Sequence, residues 1–210
     1  MDKNNLWRMS ASEIVKATTA GEVRSIDVIT SVVDRMQKVN PKLNAIVCDL
    51  SDEALKTAEL LDRARNNGKE CGPLHGVPVT IKINVDQKGH SNSNGVLALK
   101  DWMAPDDAPV VKNLKNAGAI IIGRTNTPEF SFRADTDNEL CGRTNNPWGG
   151  HVSAGGSSGG AGAAVMSGMG ALGHGNDIGG SLRFPAAANG AFTVKPVSYT
   201  HLRAHETRFY

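Results

Sequence analysis

Residues 153–187 read SAGGSSGGAGAAVMSGMGALGHGNDIGGSLRFPAA, and this stretch decides how the rest of the chain is interpreted. It holds two glycine–serine clusters, at residues 155–160 and 179–181. Glycine is concentrated where the backbone approaches another group closely or takes a positive φ. A flexible linker has a similar composition, but a linker does not continue into largely apolar runs such as those at 163–166 and 182–185. The clusters therefore predict ordered loops that form a site.

The bulk composition predicts one soluble globular domain. The chain has 210 residues, of which 40% are hydrophobic and 21% charged, so it is long enough for a real core. Its net charge of +2 is too small to favour nucleic acid or an acidic membrane surface as a partner.

Cysteine usage and the N-terminus predict a cytoplasmic location. The three cysteines, Cys48, Cys71 and Cys141, are odd in number and widely spaced, which fits reduced thiols better than a disulfide framework. Residues 1–5 lead into no apolar signal core, and no apolar run approaches the length of a membrane span.

Hydrophobic periodicity predicts an α/β layered fold with a largely buried sheet. Apolar residues recur at helical spacing, and capping residues, glycine or Pro41 mark the helix ends. The predicted helices cover 10–21, 25–41, 51–68, 108–116, 160–166 and the start of 180–187, and the predicted strands cover 43–48, 77–83, 119–123 and 171–175.

Residues 125–157 form a long polar segment without clear periodicity, which is typical of a functional surface. Phe130, Phe132 and Trp148 lie in it. Large aromatic side chains are usually buried, so we assign these three to the core, with a substrate pocket as the alternative.

Three segments in order resemble the amidase signature family: the GVPVTIK run at 76–82, the GGSSGG run at 155–160, and GNDIGGSLRFPA at 175–186. The resemblance covers roughly residues 10 to 196. It implies a mixed β-sheet core covered by helices, incomplete at the C-terminal side because family members are about twice as long. The domain prediction is therefore a truncated amidase signature domain at 1–196 and a foreign tail at 197–210, where no pattern fits the fold.

The resemblance implies hydrolysis of a carboxamide through a Ser–cis-Ser–Lys triad. Ser181 would be the nucleophile, Ser157 the relay after a cis Gly156–Ser157 bond, and Lys82 the base. Lys82 must lose its proton to act as a base, and burial between Ile81 and Ile83 would lower its pKa.

Backbone geometry around the second glycine–serine cluster predicts an oxyanion site. The amides of Ile178, Gly179 and Gly180 can converge on a carbonyl oxygen at a helix N-terminus. No metal or organic cofactor is required, since His75, His90, His151 and His174 lack ligand spacing.

Further residues are assigned supporting roles by the resemblance. Gly156 and Ser158 would support the triad, and Asp177 and Arg183 would brace the nucleophile loop. The family commonly has Asp directly after the lysine, where this chain has Ile83.

Each assignment has a structural alternative. Ser181 alone fits an N-cap, and Ser157 alone fits a loop hydroxyl. By composition Lys82 fits a surface lysine on an edge strand, and Asp177 with Arg183 fits a surface ion pair.

Other functional classes remain as alternatives. Residues 156–160 also match the G-x-S-x-G elbow of α/β-hydrolases, but no buried strand precedes them. Residues 168–173 match a G-x-G-x-x-G dinucleotide motif that follows a helix instead of a strand. An inactive amidase-like fragment and the glutamine-hydrolysing subunit of a tRNA-dependent amidotransferase are also open. The latter favours Gln at the position of Phe184. The expected partner is a small-molecule amide, and a homodimer is left open.

Overall fold

The computed structural model describes residues 3–196, and a four-stranded mixed sheet lies at its centre. The strand order is β1-β3-β2-β4, with β3 antiparallel to β1 and parallel to β2, and β2 parallel to β4. The strands are β1 (Ile46–Asp49), β2 (Pro78–Lys82), β3 (Ile120–Thr125) and β4 (Leu172–Gly173). The layered fold is thus confirmed, and β2 is an interior strand of the sheet.

Six α-helices of the described region surround this sheet: α1 (Ala11–Ala20), α2 (Ser25–Leu43), α3 (Ser51–Asn66), α4 (Pro109–Asn116), α5 (Gly159–Met166) and α6 (Arg183–Asn189). Short 3-10 helices lie at Lys3–Arg8, Leu97–Leu99 and Glu129–Ser131. The capping box at the start of α1 is present, because Ser10 and Glu13 each accept a hydrogen bond from the other's backbone amide.

The prediction that Pro41 ends the second helix is wrong. Helix α2 continues to Leu43 and ends where Asn44 takes a left-handed conformation with φ 50°. Proline removes only one backbone donor in this last turn. The amide of Asn44 then donates to the carbonyl of Asn40 and closes the helix end.

The core lies on both faces of the two interior strands, β2 and β3, whose residues are all buried. On one face the side chains of Val79 and Ile81 pack with residues of α1, α2 and α4. On the other, Ile120 and Ile122 pack against α2 and α3. Runs of β-branched residues buried on both faces explain why these strands show no alternation of polar and apolar positions.

Helix α5 packs unusually close to the ends of β1 and β3. A Cβ atom on Gly160 would lie 2.5 Å from the amide nitrogen of Asn126 and 2.7 Å from the carbonyl oxygen of Ala45. Only glycine fits at this contact. The helix therefore starts next to the C-terminal ends of the parallel strands β2 and β3, where Lys82 lies.

The assignment of the three aromatic residues of the 125–157 segment to the core is wrong. Phe130, Phe132 and Trp148 are 56%, 91% and 68% exposed, respectively. The Trp148 indole is held at the surface by a 2.7 Å hydrogen bond to the carbonyl of Asn189.

Two further expectations concern the chain as a whole. All three cysteines are free. Among the residues that the structure describes, no helix is long and apolar enough to cross a membrane. The proposed foreign tail at 197–210 lies outside the described residues.

Candidate active site

Lys82 is the last residue of β2, and its side chain is fully buried. Its Nζ lies 2.7 Å from Ser157 Oγ, 3.1 Å from Ser158 Oγ and 2.9 Å from Asn176 Oδ1. Ser157 and Ser158 belong to the first glycine–serine cluster, and Asn176 lies on the loop that leads into the second. The end of an interior strand therefore brings the lysine to the point where both loops meet.

Burial lowers the pKa of Lys82 to about 7, and the negative charge of Asp177 opposes this shift. Desolvation disfavours the ammonium form, and the three contacting oxygens are uncharged, so they do not restore the ordinary value. About half of the Lys82 side chains are then neutral near pH 7 and able to accept a proton. The alternative of a surface lysine on an edge strand is wrong.

Ser157 and Ser158 are both buried at the start of α5. The Gly156–Ser157 peptide bond is cis, as the resemblance implies. Thr136 braces the loop on both sides, since its hydroxyl donates to the carbonyl of Gly155 at 2.8 Å and accepts from the amide of Gly159 at 3.1 Å. Both serine hydroxyls are thereby directed at the Lys82 amino group.

Ser181 lies two residues before α6 and is half-buried. Its carbonyl accepts a 3.0 Å hydrogen bond from the amide of Ser158, which ties the two glycine–serine loops together. Within residues 3–196 its hydroxyl forms no hydrogen bond, so the direct Ser181–Ser157 contact that a proton relay needs is not made here. Catalytic hydrogen bonds are often loose before substrate binds. The N-cap of α6 is Leu182, so the N-cap alternative for Ser181 is wrong.

Asp177 organises the turn that carries Ser181. Its carboxylate accepts from the backbone amides of Gly180, Leu182 and Arg183 at 2.8–3.1 Å, and from the Arg183 guanidinium at 2.9 and 3.0 Å. The Arg183 hydrogen bond and these amides hold the pKa of Asp177 well below its ordinary range, against the effect of burial. Its side chain is only 1% exposed. The pair is therefore a structural brace of this loop, unlike an ordinary surface ion pair.

The candidate oxyanion donors are not equivalent. The amide of Gly180 donates to Asp177 Oδ1 at 2.8 Å, so the expectation that it points into the site is not met. In the described part of the chain, the amides of Ile178 and Gly179 donate no hydrogen bond, and the Ile178 side chain is 89% exposed. These two amides are the ones left to bind a developing negative charge.

Two residues next to Lys82 are not predicted by the sequence patterns. Asn176 is the third contact of Lys82, and only its place just before Asp177 hints at this. His174 follows β4, and its backbone amide donates to the carbonyl of Thr80 at 2.9 Å. Burial, and then the charge of Lys82, lower the pKa of His174 to about 4, so its imidazole is neutral at pH 7.

Ile83 takes the position where the resemblance expects Asp. It is buried, and its amide donates to the carbonyl of Thr125 at 3.0 Å, which extends the pairing of β2 with β3. Lys82 therefore lacks a carboxylate at the adjacent position, and Asp177 is the acid whose charge acts on it.

The mixed sheet, with a buried lysine at the end of an interior strand facing two glycine–serine loops, is the architecture of the amidase signature class. The Amidase family matches residues 27–203, and the chain belongs to this family.

Named relatives agree with this assignment. The indoleacetamide hydrolase of Bradyrhizobium diazoefficiens (strain JCM 10833 / BCRC 13528 / IAM 13628 / NBRC 14792 / USDA 110) is 57% identical over 92% of this chain and 37% of its own length. A glutamyl-tRNA(Gln) amidotransferase subunit of Endomicrobium trichonymphae is 36% identical over 92% of this chain and 40% of its own. A bacterial aryl acylamidase of known structure superposes with a TM-score of 0.81 at 36% identity, over 85% of this chain and 37% of that one. The chain therefore spans about two fifths of the length of these relatives.

Proposed function

We propose that this chain carries the catalytic residues of an amide hydrolase that cleaves carboxamides through an acyl-enzyme on Ser181. The observation that carries the proposal is Lys82, a fully buried lysine 2.7 Å from the hydroxyl of Ser157. With a pKa of about 7, this lysine is a base that can receive a serine proton at physiological pH.

The proton path follows from the hydrogen-bonding capacity of Lys82. Neutral Nζ has two hydrogens and one lone pair. Asn176 Oδ1 is an acceptor, and the Ser158 hydroxyl is directed at the carbonyl of Asn176 at 3.4 Å, so both take hydrogens from Nζ. The lone pair is left for Ser157, which makes the shortest of the three contacts.

The reaction then proceeds in two balanced halves. The Ser181 oxygen bonds to the amide carbon while its proton passes to Ser157, and the Ser157 proton passes to Lys82. The amides of Ile178 and Gly179 bind the oxyanion. Lys82 returns a proton through Ser157 to the leaving nitrogen as the C–N bond breaks, and water releases the carboxylic acid from Ser181 by the same path.

The substrate class we propose is a small primary amide of an arylacetic acid. Support comes from the 57% identity to a protein named indoleacetamide hydrolase and from the likeness to an aryl acylamidase structure. The exposed Phe130 and Phe132 belong to the polar segment that leads to Ser157 and offer aromatic surface for such a group.

A glutamine-hydrolysing amidotransferase subunit is the second candidate, favoured by the 36% identity to one such protein. It would act with a partner that binds tRNA. The net charge of +2 and Phe184 after the Ser-Leu-Arg sequence weigh against it. The free cysteines fit a reducing, cytoplasmic compartment for either enzyme.

The test is labelling with a fluorophosphonate serine probe, followed by peptide mapping. Two proteins are compared: the 210-residue chain, and residues 1–196 joined to the C-terminal remainder of the Bradyrhizobium relative. We expect label on Ser181 in the joined protein, lost in Lys82→Ala and in Ser157→Ala. Label on Ser158 would favour the hydrolase elbow, and no label in a folded joined protein would indicate an inactive relative.

Substrate choice is tested on the joined protein by ammonia release. Indole-3-acetamide and glutamine are supplied at equal concentration in separate reactions, and we expect ammonia release from indole-3-acetamide. Release from glutamine alone would replace the proposed substrate with that of the amidotransferase.

A further inference from the structure

A cavity lies on the face of the sheet opposite to Lys82. Arg124 on β3 is paired with Ile81 on β2 and with Cys48 on β1, and Lys82 is paired with Thr125. Successive residues of a strand point to opposite faces, so Arg124 and Lys82 project to opposite sides. The cavity beside Arg124 has a volume of about 300 Å³.

The inner wall of this cavity carries a buried cation without a counter-ion. Arg124 is 1% exposed, and its guanidinium donates to the backbone carbonyls of Ser91, Ile83 and Val85. Its Nε has no hydrogen-bond partner. Among the described residues, no carboxylate lies within 4 Å of this guanidinium. A buried charge that is not neutralised by an ion pair is costly, so the site attracts an anion.

The remaining polar groups of the cavity are also suited to an anion. Lys100 lies at its rim and is exposed, which places a second positive charge at the entrance. Ser93 is buried in the wall, and its oxygen accepts from the amide of Gly95, so its hydroxyl hydrogen is left to donate. Within residues 3–196, no acidic side chain lines the cavity.

Asp86 is the carboxylate whose charge acts on Arg124, and the charges of Asp49 and Glu53 act on Cys48 in the same wall, but all three have other partners. Asp86 accepts a 2.7 Å hydrogen bond from Asn92, and Asp49 accepts from the amide and hydroxyl of Ser51. Glu53 lies 3.4 Å from His90.

The other side of the cavity is apolar. Val47, Ile83 and Leu140 line it, together with the thiols of Cys48 and Cys141. An inorganic oxyanion would leave this side unused, whereas a carboxylate with a short apolar group would contact both sides.

We propose that this cavity binds a small carboxylate that bears an apolar group, with its charge towards Arg124 and Lys100. The proposal uses none of Ser157, Ser158, Ser181 and Lys82, and therefore stands independently of the hydrolytic function.

Cysteine alkylation gives a direct test, because two thiols line the cavity and Cys71 does not. The 210-residue chain is treated with iodoacetate or with neutral iodoacetamide, and the rates at each cysteine are followed by peptide mass spectrometry. A cationic cavity raises the local concentration of an anion at least about tenfold. We therefore expect the iodoacetate-to-iodoacetamide rate ratio at Cys48 and Cys141 to exceed the ratio at Cys71 by about that factor.

Two variants distinguish the effect of the positive charge at the cavity from the effect of removing any surface lysine. Lys100→Gln should lower the ratio at Cys48 and Cys141, and its exposed position leaves the fold intact. Lys69→Gln, an equally exposed lysine near Cys71, should leave the ratio at Cys48 and Cys141 unchanged. Equal ratios at all three cysteines, or no reaction of the two cavity thiols with either reagent, would overturn the proposal.

Ligand chemistry is tested by protection. Phenylacetate should slow alkylation of Cys48 and Cys141 by iodoacetamide in a saturable manner, and the neutral analogue 2-phenylethanol should not. If inorganic phosphate protects as well as phenylacetate, the assignment to an apolar carboxylate is wrong.

Discussion

At the scale of single residues, Lys82 is the group whose protonation controls the proposed chemistry. Its pKa is lowered to about 7 by burial, so the neutral form that accepts a proton grows as the pH rises through 7. We expect the rate of Ser181 labelling in the joined protein to rise between about pH 6 and 8 and then to level off.

The matched variant for this prediction is Lys82→Arg. A guanidinium keeps the positive charge but does not lose its proton in this range, so labelling should fall by at least about a hundredfold at every pH. A rate that is flat across the same pH range would exclude Lys82 as the base.

Asp177 should contribute to stability in a pH-dependent manner. Its pKa is held below its ordinary range by Arg183 and three backbone amides, so its contribution is complete above about pH 4 and is lost as the pH falls below that value. We expect Asp177→Asn to lower the free energy of unfolding by at least about 2 kcal/mol at pH 7, since hydrogen bonds to a charge are lost.

Thermal unfolding of both proteins between about pH 7 and 3 measures this effect. The difference in Tm between wild type and Asp177→Asn should shrink on acidification. Asp106→Asn, which removes an exposed ion pair with Lys112, should change Tm little at any pH. A Tm difference for Asp177→Asn that is independent of pH would refute the argument.

The sequence and the structure agree unevenly at this scale. The contact of Lys82 with Ser157 and Ser158 could be predicted because three motif segments occur together, although composition alone favours an exposed lysine. The contact of Asn176 with Lys82 and the hydrogen bond from the Gly180 amide to Asp177 could not be predicted. Both depend on the path of one turn, which residue types do not determine.

At the scale of elements, hydrophobic periodicity is sufficient to predict the bounds of a helix that has one apolar face. Helices α1, α2 and α3 are amphipathic and agree with the predicted ranges within a few residues. Strand β4 is only two residues long and carries too little pattern to be bounded from sequence. Helix α2 ends at Leu43 because Asn44 takes a left-handed conformation. The expectation that a proline ends a helix does not predict this conformation.

The close contact of α5 with the strand ends leads to a prediction about Gly160. A methyl group there would meet the backbone of Asn126 and Ala45, which cannot move without disturbing β1 and β3. We expect Gly160→Ala to destabilise the protein by about 1–3 kcal/mol, as overpacking does. Denaturant unfolding measures this, with Gly150→Ala as control, because a Cβ at Gly150 meets nothing within 4 Å. Equal midpoints for the two variants would show that α5 can shift freely.

At the scale of the whole molecule, the described residues leave much apolar surface uncovered. Phe132, Ile178 and Phe192 are 91%, 89% and 93% exposed, and strand β4 forms one edge of the sheet. The relatives are more than twice as long as this chain. Sequence patterns could not reveal this exposure, because the identity of an aromatic residue does not indicate whether another surface packs against it.

This exposure predicts how the 210-residue chain behaves in solution. Large exposed apolar groups bind hydrophobic dyes and promote association. We expect strong fluorescence of 1-anilinonaphthalene-8-sulfonate and a sedimentation coefficient that rises with protein concentration. The double variant Phe132→Ser with Phe192→Ser should reduce both effects without lowering Tm, because these side chains lose almost no packing.

A buried residue provides the contrasting variant for this prediction. Ile81→Ser should lower Tm and increase dye binding, because it places a hydroxyl in the core and loosens the packing around β2. A loss of core packing and a loss of exposed apolar surface are therefore distinguishable by the two measurements together. If dye binding is unchanged in the double variant, the surface that binds the dye lies elsewhere on the molecule and not around Phe132 or Phe192.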